Sequence, residues 1–270
     1  MKLIPLTGLA CALLFSPAHA ADRVLVPGGS FNMGCSTGDT DCEKDEGKPG
    51  GIAVEVPAFS IDRYEVTVAD YRKCMKAGDC ARPKDHKRNQ YCNLDAPGRD
   101  NHPINCVDWQ DAANYCQFVG ARLPWEAEWE KAARADSETR YPWGENISCK
   151  NAILDDGKTM GSVPNEPDGC GEDRTWPVGS RPANALGLFD MHGNAGEWTA
   201  NWYSPKGLSL YAAGDLKAPA QSRQRVVRGG SWDENSNNLR SSFRNVKPPI
   251  SGKTIYGSIG FRCAADATKP

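Results

Sequence analysis

The densest group of reactive side chains lies in RVVRGGSWDENSNNLRSSFRN, which begins at Arg225. After a Gly-Gly turn it offers a hydroxyl at Ser231, an aromatic face at Trp232 and adjacent acids at Asp233 and Glu234. An amide at Asn235 and guanidiniums at Arg240 and Arg244 follow. Paired acids suit general acid–base work, although adjacent acids in a polar loop are more often simply solvated. Trp232 offers a stacking face, and the two arginines suit acidic groups on a ligand. The plain alternative has Trp232 filling the core and the arginines paired with carboxylates elsewhere in the chain. Ser/His/Asp catalysis needs a histidine beside a serine, and no motif brings His86, His102 or His192 to one.

Cysteine is the next chemistry to place. Eleven cysteines less Cys11, which falls in the first twenty residues, leave ten. An even number in an exported chain reads as disulfides. Zinc is the rival reading, but the chain has no C-x-x-C pair, and only three histidines follow residue 20. Removing Lys2 from the formal net charge of −2 leaves −3, so no basic field invites nucleic acid.

Residues 1–20, MKLIPLTGLACALLFSPAHA, have a basic start, an apolar run from Leu9 to Phe15 and a small-x-small end at Ala18-His19-Ala20. They read as a secretory signal peptide cleaved after Ala20, which places the mature domain at 21–270 in the periplasm or outside the cell. The apolar run is too short to span a bilayer, and no later segment is apolar enough to cross one. Lipid attachment at Cys11 is disfavoured, because Gly8 stands where the lipidation box has Leu.

Short elements must position these groups. VLVPGGSFNMG reads as strand, Pro-Gly-Gly turn and strand, and AFSIDRYEVT as a further strand. Thr67, with Asp70 three residues on, caps a helix over VADYRKCMKAG that Gly78 ends. Asp108 caps a second helix, WQDAANYCQFVG, with a stop at Gly120. Pro124 opens a third, PWEAEWEKAARA, in which Trp125 and Trp129 share a core-packing face and Glu126 and Glu130 the face beside it. From Ser137 onward no helix is evident, and a region that long and irregular needs disulfides, a metal ion or both. No internal repeat or linker divides the chain.

VPGGSFNMG, IDRYEVTVADYRKC, HPINCVDWQDAANYCQFVGARLPWEAEWEKAAR, YPWGE, GLFDMHGNAGEWTANWY, RVVRGGSW and IGFRCAAD occur in that order. Together they resemble the sulfatase-modifying-factor family, that of the formylglycine-generating enzyme, over residues 24–266. The resemblance implies an α+β, C-type-lectin-like single compact domain, poor in regular secondary structure. It also implies that the segment after the Gly-Gly turn lines a groove in which relatives bind an extended peptide, with Ser231 and Asn235 as polar contacts. A disulfide between Cys116 and Cys263 is implied in the same way. The remaining eight cysteines pair best with near neighbours: Cys35–Cys42, Cys74–Cys80, Cys92–Cys106 and Cys149–Cys170.

The family's oxidase binds copper through two cysteines after the GGS turn and uses oxygen to turn a substrate cysteine into formylglycine. Two-coordinate Cu(I) selects sulfur. Here no cysteine occurs between Cys170 and Cys263, and Glu234, Asn235 and Leu239 fall near the expected positions. No copper is therefore expected. DMHGNAGEW resembles the family's calcium site, with side-chain oxygens from Asp190 and Glu197 and carbonyls from Gly193 and Ala195. A second calcium site would draw on Asn151, Ala152, Asp168 and Cys170. The alternative is that Asp190 and Glu197 are turn residues bonded to backbone, and His192, beside the first site, is expected to pack or face solvent.

Three other relatives are relevant. Iron oxygenases that make sulfur-containing histidine derivatives use an extra His-rich helical domain that this chain lacks. Exported maturation factors of siderophore chromophores are single-domain, as this chain is expected to be. Lectin-like variable proteins of diversity-generating retroelements vary the segment between RGGSW and IGFR, and Asn235, Asn237, Asn238 and Asn245 fit that pattern. Binding of a peptide, glycan or protein partner near residues 229–245 is favoured over a thiol-independent oxidation.

Overall fold

A computed structural model describes residues 22–83, 89–157, 169–249 and 256–267. The expected leader with Lys2 and Cys11, and also His86 and Asp168, lie outside the described residues.

Alternating apolar residues form four short strands at the start. β1 (Arg23–Val26) and β4 (Phe59–Asp62) pair antiparallel, with Val24 opposite Ile61. β2 (Gly29–Met33) and β3 (Ile52–Val56) form a separate pair, with Phe31 opposite Val54. The expected Pro-Gly-Gly turn therefore carries the chain from one sheet to another.

The three helices expected from caps are present. α1 (Val68–Ala77) starts at Thr67, whose hydroxyl accepts from the Asp70 N–H at 3.1 Å, and ends at Gly78 with φ 89°. α2 (Trp109–Phe118) starts at Asp108, which accepts from the Asp111 N–H at 2.8 Å. α3 (Glu126–Arg134) starts two residues later than expected. Trp125 is its N-cap, because the Glu128 carboxylate reaches back to the Trp125 N–H at 2.8 Å and takes the place of a capping side chain. All nine residues of α3 are buried, five of them charged.

The expectation of no helix after Ser137 is corrected at two places. α4 covers Gly207–Ala212, and a 3-10 turn covers Ser236–Leu239. α4 has six residues, begins on Gly and has no side-chain hydrogen bond from its N-cap Lys206, so its local preference is weak. It forms by packing Leu208 and Tyr211 into the core rather than from local preference.

The central sheet has the order β7-β6-β5-β8, from β5 (Gly196–Trp202), β6 (Arg225–Arg228), β7 (Asn245–Lys247) and β8 (Ile259–Gly260). β5 pairs antiparallel with β6 and parallel with β8. β9 (Ala264–Asp266) joins β4 in the first sheet. One core packs α1 and α2 on the central sheet around Tyr71, Trp198 and Phe261, and a second centres on Trp129 of α3. The result is a single α+β domain with little regular secondary structure.

All five expected disulfides form: Cys35–Cys42, Cys74–Cys80, Cys92–Cys106, Cys116–Cys263 and Cys149–Cys170. The first, second, third and fifth staple neighbouring loops. The fourth ties α2 to the C-terminal strands.

Candidate functional site

β5 and β6 converge on the Gly-Gly turn. Gly229 and Gly230 take φ of 94° and 68°. A Cβ on Gly230 would stand 2.5 Å from the Leu239 side chain and 2.8 Å from the Asn238 carbonyl, so this turn admits glycine alone. The chain then folds back over the sheet end. The Trp232 N–H donates to the Asn194 carbonyl at 3.1 Å, and the Ser231 hydroxyl to Asp233 at 2.6 Å. The Trp232 ring is buried against Tyr91, 5.0 Å between centres, and its indole N–H has no partner among the described residues.

The two arginines expected to face a ligand point inward instead. Arg240 makes a bidentate pair with the buried Glu46 and lies 3.4 Å from Asp39. Arg244 grips Glu126 of α3 at 2.6 and 2.8 Å. A guanidinium this deep needs a carboxylate, and the protein supplies one to each from far along the chain. What the loop turns outward is its middle: Asn235, Ser236 and Asn237 are exposed. The Asn235 side chain caps the 3-10 turn by accepting from the Asn237 N–H at 3.0 Å.

Glu234 sits between these halves. It accepts from the Asn245 amide at 3.0 Å, and its carbonyl accepts from the Asp155 N–H at 3.1 Å. Burial first, then the neighbouring Asp233, push its carboxyl up to about 7, with Lys247 opposing. A carboxyl raised in the fold holds a proton that the unfolded chain has released between about pH 4.5 and pH 7. Its contribution to stability is thus full below pH 4.5 and lost as pH rises through 7. Glu234→Gln keeps the acceptor for Asn245 and removes the buried charge. The variant is expected to gain on the order of 1–2 kcal/mol over the wild type at pH 8, a figure reduced for partial exposure, and nothing at pH 4. Thermal melts at the two pH values test this, and an equal difference at both would refute it.

A second polar cluster underlies the turn. Glu197 accepts from Trp129 Nε1 at 2.7 Å and from Arg262 at 2.8 and 2.7 Å. Asp190, at φ 53°, accepts from the Gly179 N–H at 2.6 Å. Glu65 accepts from the Asn194 amide and the Ala195 N–H at 2.7 and 2.8 Å. Burial and the charges of Asp190 and Glu197 raise the Glu65 carboxyl well above its usual range, and burial lifts Asp190 to about 6. Glu65 and Arg262 escaped sequence reasoning, although both lie within motifs that carry the resemblance.

The donor set fits calcium in kind: hard oxygens, with more carboxylates than the Arg262 guanidinium balances. Glu197 would have to share its carboxylate between the ion and Arg262. Among the described residues no three His, Cys, Asp or Glu side chains converge as a metal site, so an ion would depend on backbone carbonyls such as those of Gly193 and Ala195. Of the second expected set, Asn151 accepts from the Ser148 hydroxyl at 3.1 Å, Ala152 is buried and Cys170 is in its disulfide.

His192 is a packing residue. It is buried among Trp129, Tyr141 and Trp143, and Nε2 lies 3.0 Å from the Ser241 hydroxyl. Burial, then Arg134 and Arg228, lower it to about 3. Among the described residues Nδ1 has no partner, so no acid completes a Ser/His/Asp triad there.

The model of the sulfatase-modifying factor enzyme 1-like domain matches residues 14–267. The chain belongs to this family. The formylglycine-generating enzyme of Mus musculus is 31% identical over 93% of the chain and 76% of its own length. The solved structure of PvdO from Pseudomonas aeruginosa has a TM-score of 0.71 at 29% identity and covers 90% of this chain and 94% of its own. Treponema denticola variable protein 1 shares the fold, with a TM-score of 0.66 at 19% identity, over 90% of this chain and 94% of its own. Against the copper site that the family resemblance implies, this sulfatase-modifying-factor domain has all ten described cysteines in disulfides. No thiol is present in the loop after its Gly-Gly turn.

Proposed function

We propose that this is an exported, binding member of the sulfatase-modifying-factor family that does not form formylglycine. Its ligand is a peptide, protein or glycan held on the outward face of residues 229–245. The observation that carries the reading is the cysteine pairing: a Cu(I) centre needs free thiolates, and each described cysteine is already spent in a disulfide. Asn235, with the half-buried Glu234 beside it, supplies polar contacts, while the buried Ser231, whose hydroxyl is held by Asp233, and Arg240 and Arg244 shape the loop from beneath. Five disulfides support an oxidising compartment, the periplasm or the exterior, after removal of residues 1–20. No helix among the described residues is long and apolar enough to cross a membrane. A structural calcium at Asp190, Gly193, Ala195 and Glu197 completes the reading and offsets the carboxylate surplus beneath the turn.

One observation favours a second reading, a thiol-independent oxidoreductase or maturation factor. Glu234 is a carboxyl raised to about 7 at the loop, suited to accept a proton near neutral pH. The two readings separate on the metal content of the purified mature chain, which is also given copper, oxygen and a sulfatase-type cysteine peptide to test formylglycine formation. The expected result is unchanged peptide, bound calcium without copper or iron, and a melting temperature that falls by several degrees on chelation and recovers with calcium. Aldehyde product, or copper or iron at one per chain, would overturn the binding reading. A melt indifferent to chelation would remove the calcium.

A further inference from the structure

A cavity of about 460 Å³ opens at the far end of the β5–β6 pair from the Gly-Gly turn. Trp109, Trp125, Trp202, Leu123, Lys217 and Arg225 line it. Arg225 starts β6 and Gly229 follows its end, so four strand residues, about 13 Å, separate this cavity from the loop site.

Arg225 is the unusual group. Its guanidinium carbon lies 3.6 Å from the ring centres of both Trp109 and Trp202, sandwiched between them. Nη1 donates to the Ala200 carbonyl at 2.6 Å, and the buried Nε has no partner among the described residues. The residue is 8% exposed, and among the described residues no carboxylate pairs with it. Arg228, Arg240, Arg244 and Arg262 are buried more deeply, and each has a carboxylate. Burial lowers Arg225 only to about 10, so it stays charged at neutral pH. Stacking on two indoles offsets part of the desolvation but does not neutralise the charge.

The rest of the wall sharpens the specificity. Lys217, also without a carboxylate among the described residues, stands 5.5 Å over Trp125. Arg122 shares that ring at 5.4 Å but is already matched by Glu128 and Asp266. The cavity thus joins an indole surface to a surplus of two cations. Its volume is within the range of small-molecule sites.

We propose that this cavity binds a small aromatic carboxylate, with the acid paired to Arg225 and the ring laid on the tryptophan wall. The proposal is independent of what the loop site binds. Benzoate, indole-3-acetate and 2-naphthoate, each beside its carboxamide, are titrated into the full mature chain by calorimetry. At least one acid is expected to bind with Kd below about 1 mM and to exceed its amide at least ten-fold. Arg225→Gln should reduce the preference for acid over amide at least five-fold. Ala220→Trp, at an exposed position in the wall, should block binding of both and leave the melting temperature unchanged. If Arg225→Gln fails to fold, Lys217→Gln, at an exposed residue, should still reduce the acid preference two- to five-fold. No binding of any acid, equal affinity for acid and amide, or undiminished binding by Ala220→Trp would each overturn the proposal.

Discussion

Glu126→Ala is expected to lower the melting temperature by about 6–20 °C or to prevent soluble expression. Glu126 is fully buried and binds Arg244 at 2.6 and 2.8 Å, lies 3.5 Å from Arg228, and accepts from the Tyr211 hydroxyl at 2.8 Å. Burial pushes its carboxyl up, but Arg244 and then Arg228 more than reverse this, and the group sits below its usual value. Removing it strands Arg244 without its closest counter-charge and leaves Arg228 to Glu130 alone, 2.5 Å away. Breaking a buried pair typically costs about 3–5 kcal/mol, against a total stability of about 5–15. In a domain this size each kcal/mol moves the melt by roughly 2–4 °C. Glu126→Gln, which keeps the shape and the tyrosine bond, should fall between. Because the folded carboxyl is depressed, its contribution is present above the usual carboxylate range and fades as pH drops through the lowered value. Melts of the three proteins at pH 7 decide the matter, and an alanine variant within 2 °C of wild type would show that the arginines find other partners.

The second large effect concerns Cys116 and Cys263. Their bond closes a sequence separation of 147, against 6 for Cys74–Cys80. In the chain-entropy model the long loop is worth about 5 kcal/mol and the short one about 2 kcal/mol. Both sulfurs of the long pair sit in the core between α2 and the C-terminal strands, so alanine is the substitution that adds no buried hydroxyl. Cys116→Ala with Cys263→Ala should therefore lower the melt by at least twice as much as Cys74→Ala with Cys80→Ala. Equal losses would mean that local strain and packing, rather than loop closure, set the contribution.

The parts of this fold legible in the sequence are those decided over a few residues. Thr67, Asp108 and Gly78 announce helix ends because a cap is a contact between a residue and its near neighbours. The short-range disulfides were legible for the same reason, and the seven ordered motifs carried the long one. Arg240 and Arg244 were not. Their partners, Glu46 and Glu126, lie 194 and 118 residues away, and no local pattern says which of two polar surfaces a guanidinium will meet. Glu65 was hidden likewise, 130 residues from the Ala195 N–H it accepts. α4 was missed because tertiary packing overrides a weak, uncapped hexamer. The tryptophan cavity gathers residues from α2, the start of α3, β5 and β6, so it exists only once the chain has folded.

The loop after the Gly-Gly turn is fastened at both ends, by the Trp232 backbone on Asn194 and by Arg240 on Glu46. Between those anchors Leu239 is buried and Glu234 is bonded to Asn245, while Asn235, Ser236 and Asn237 face outward. A substitution at Ser236 or Asn237 would therefore change the loop's outward chemistry while both fastenings stay in place.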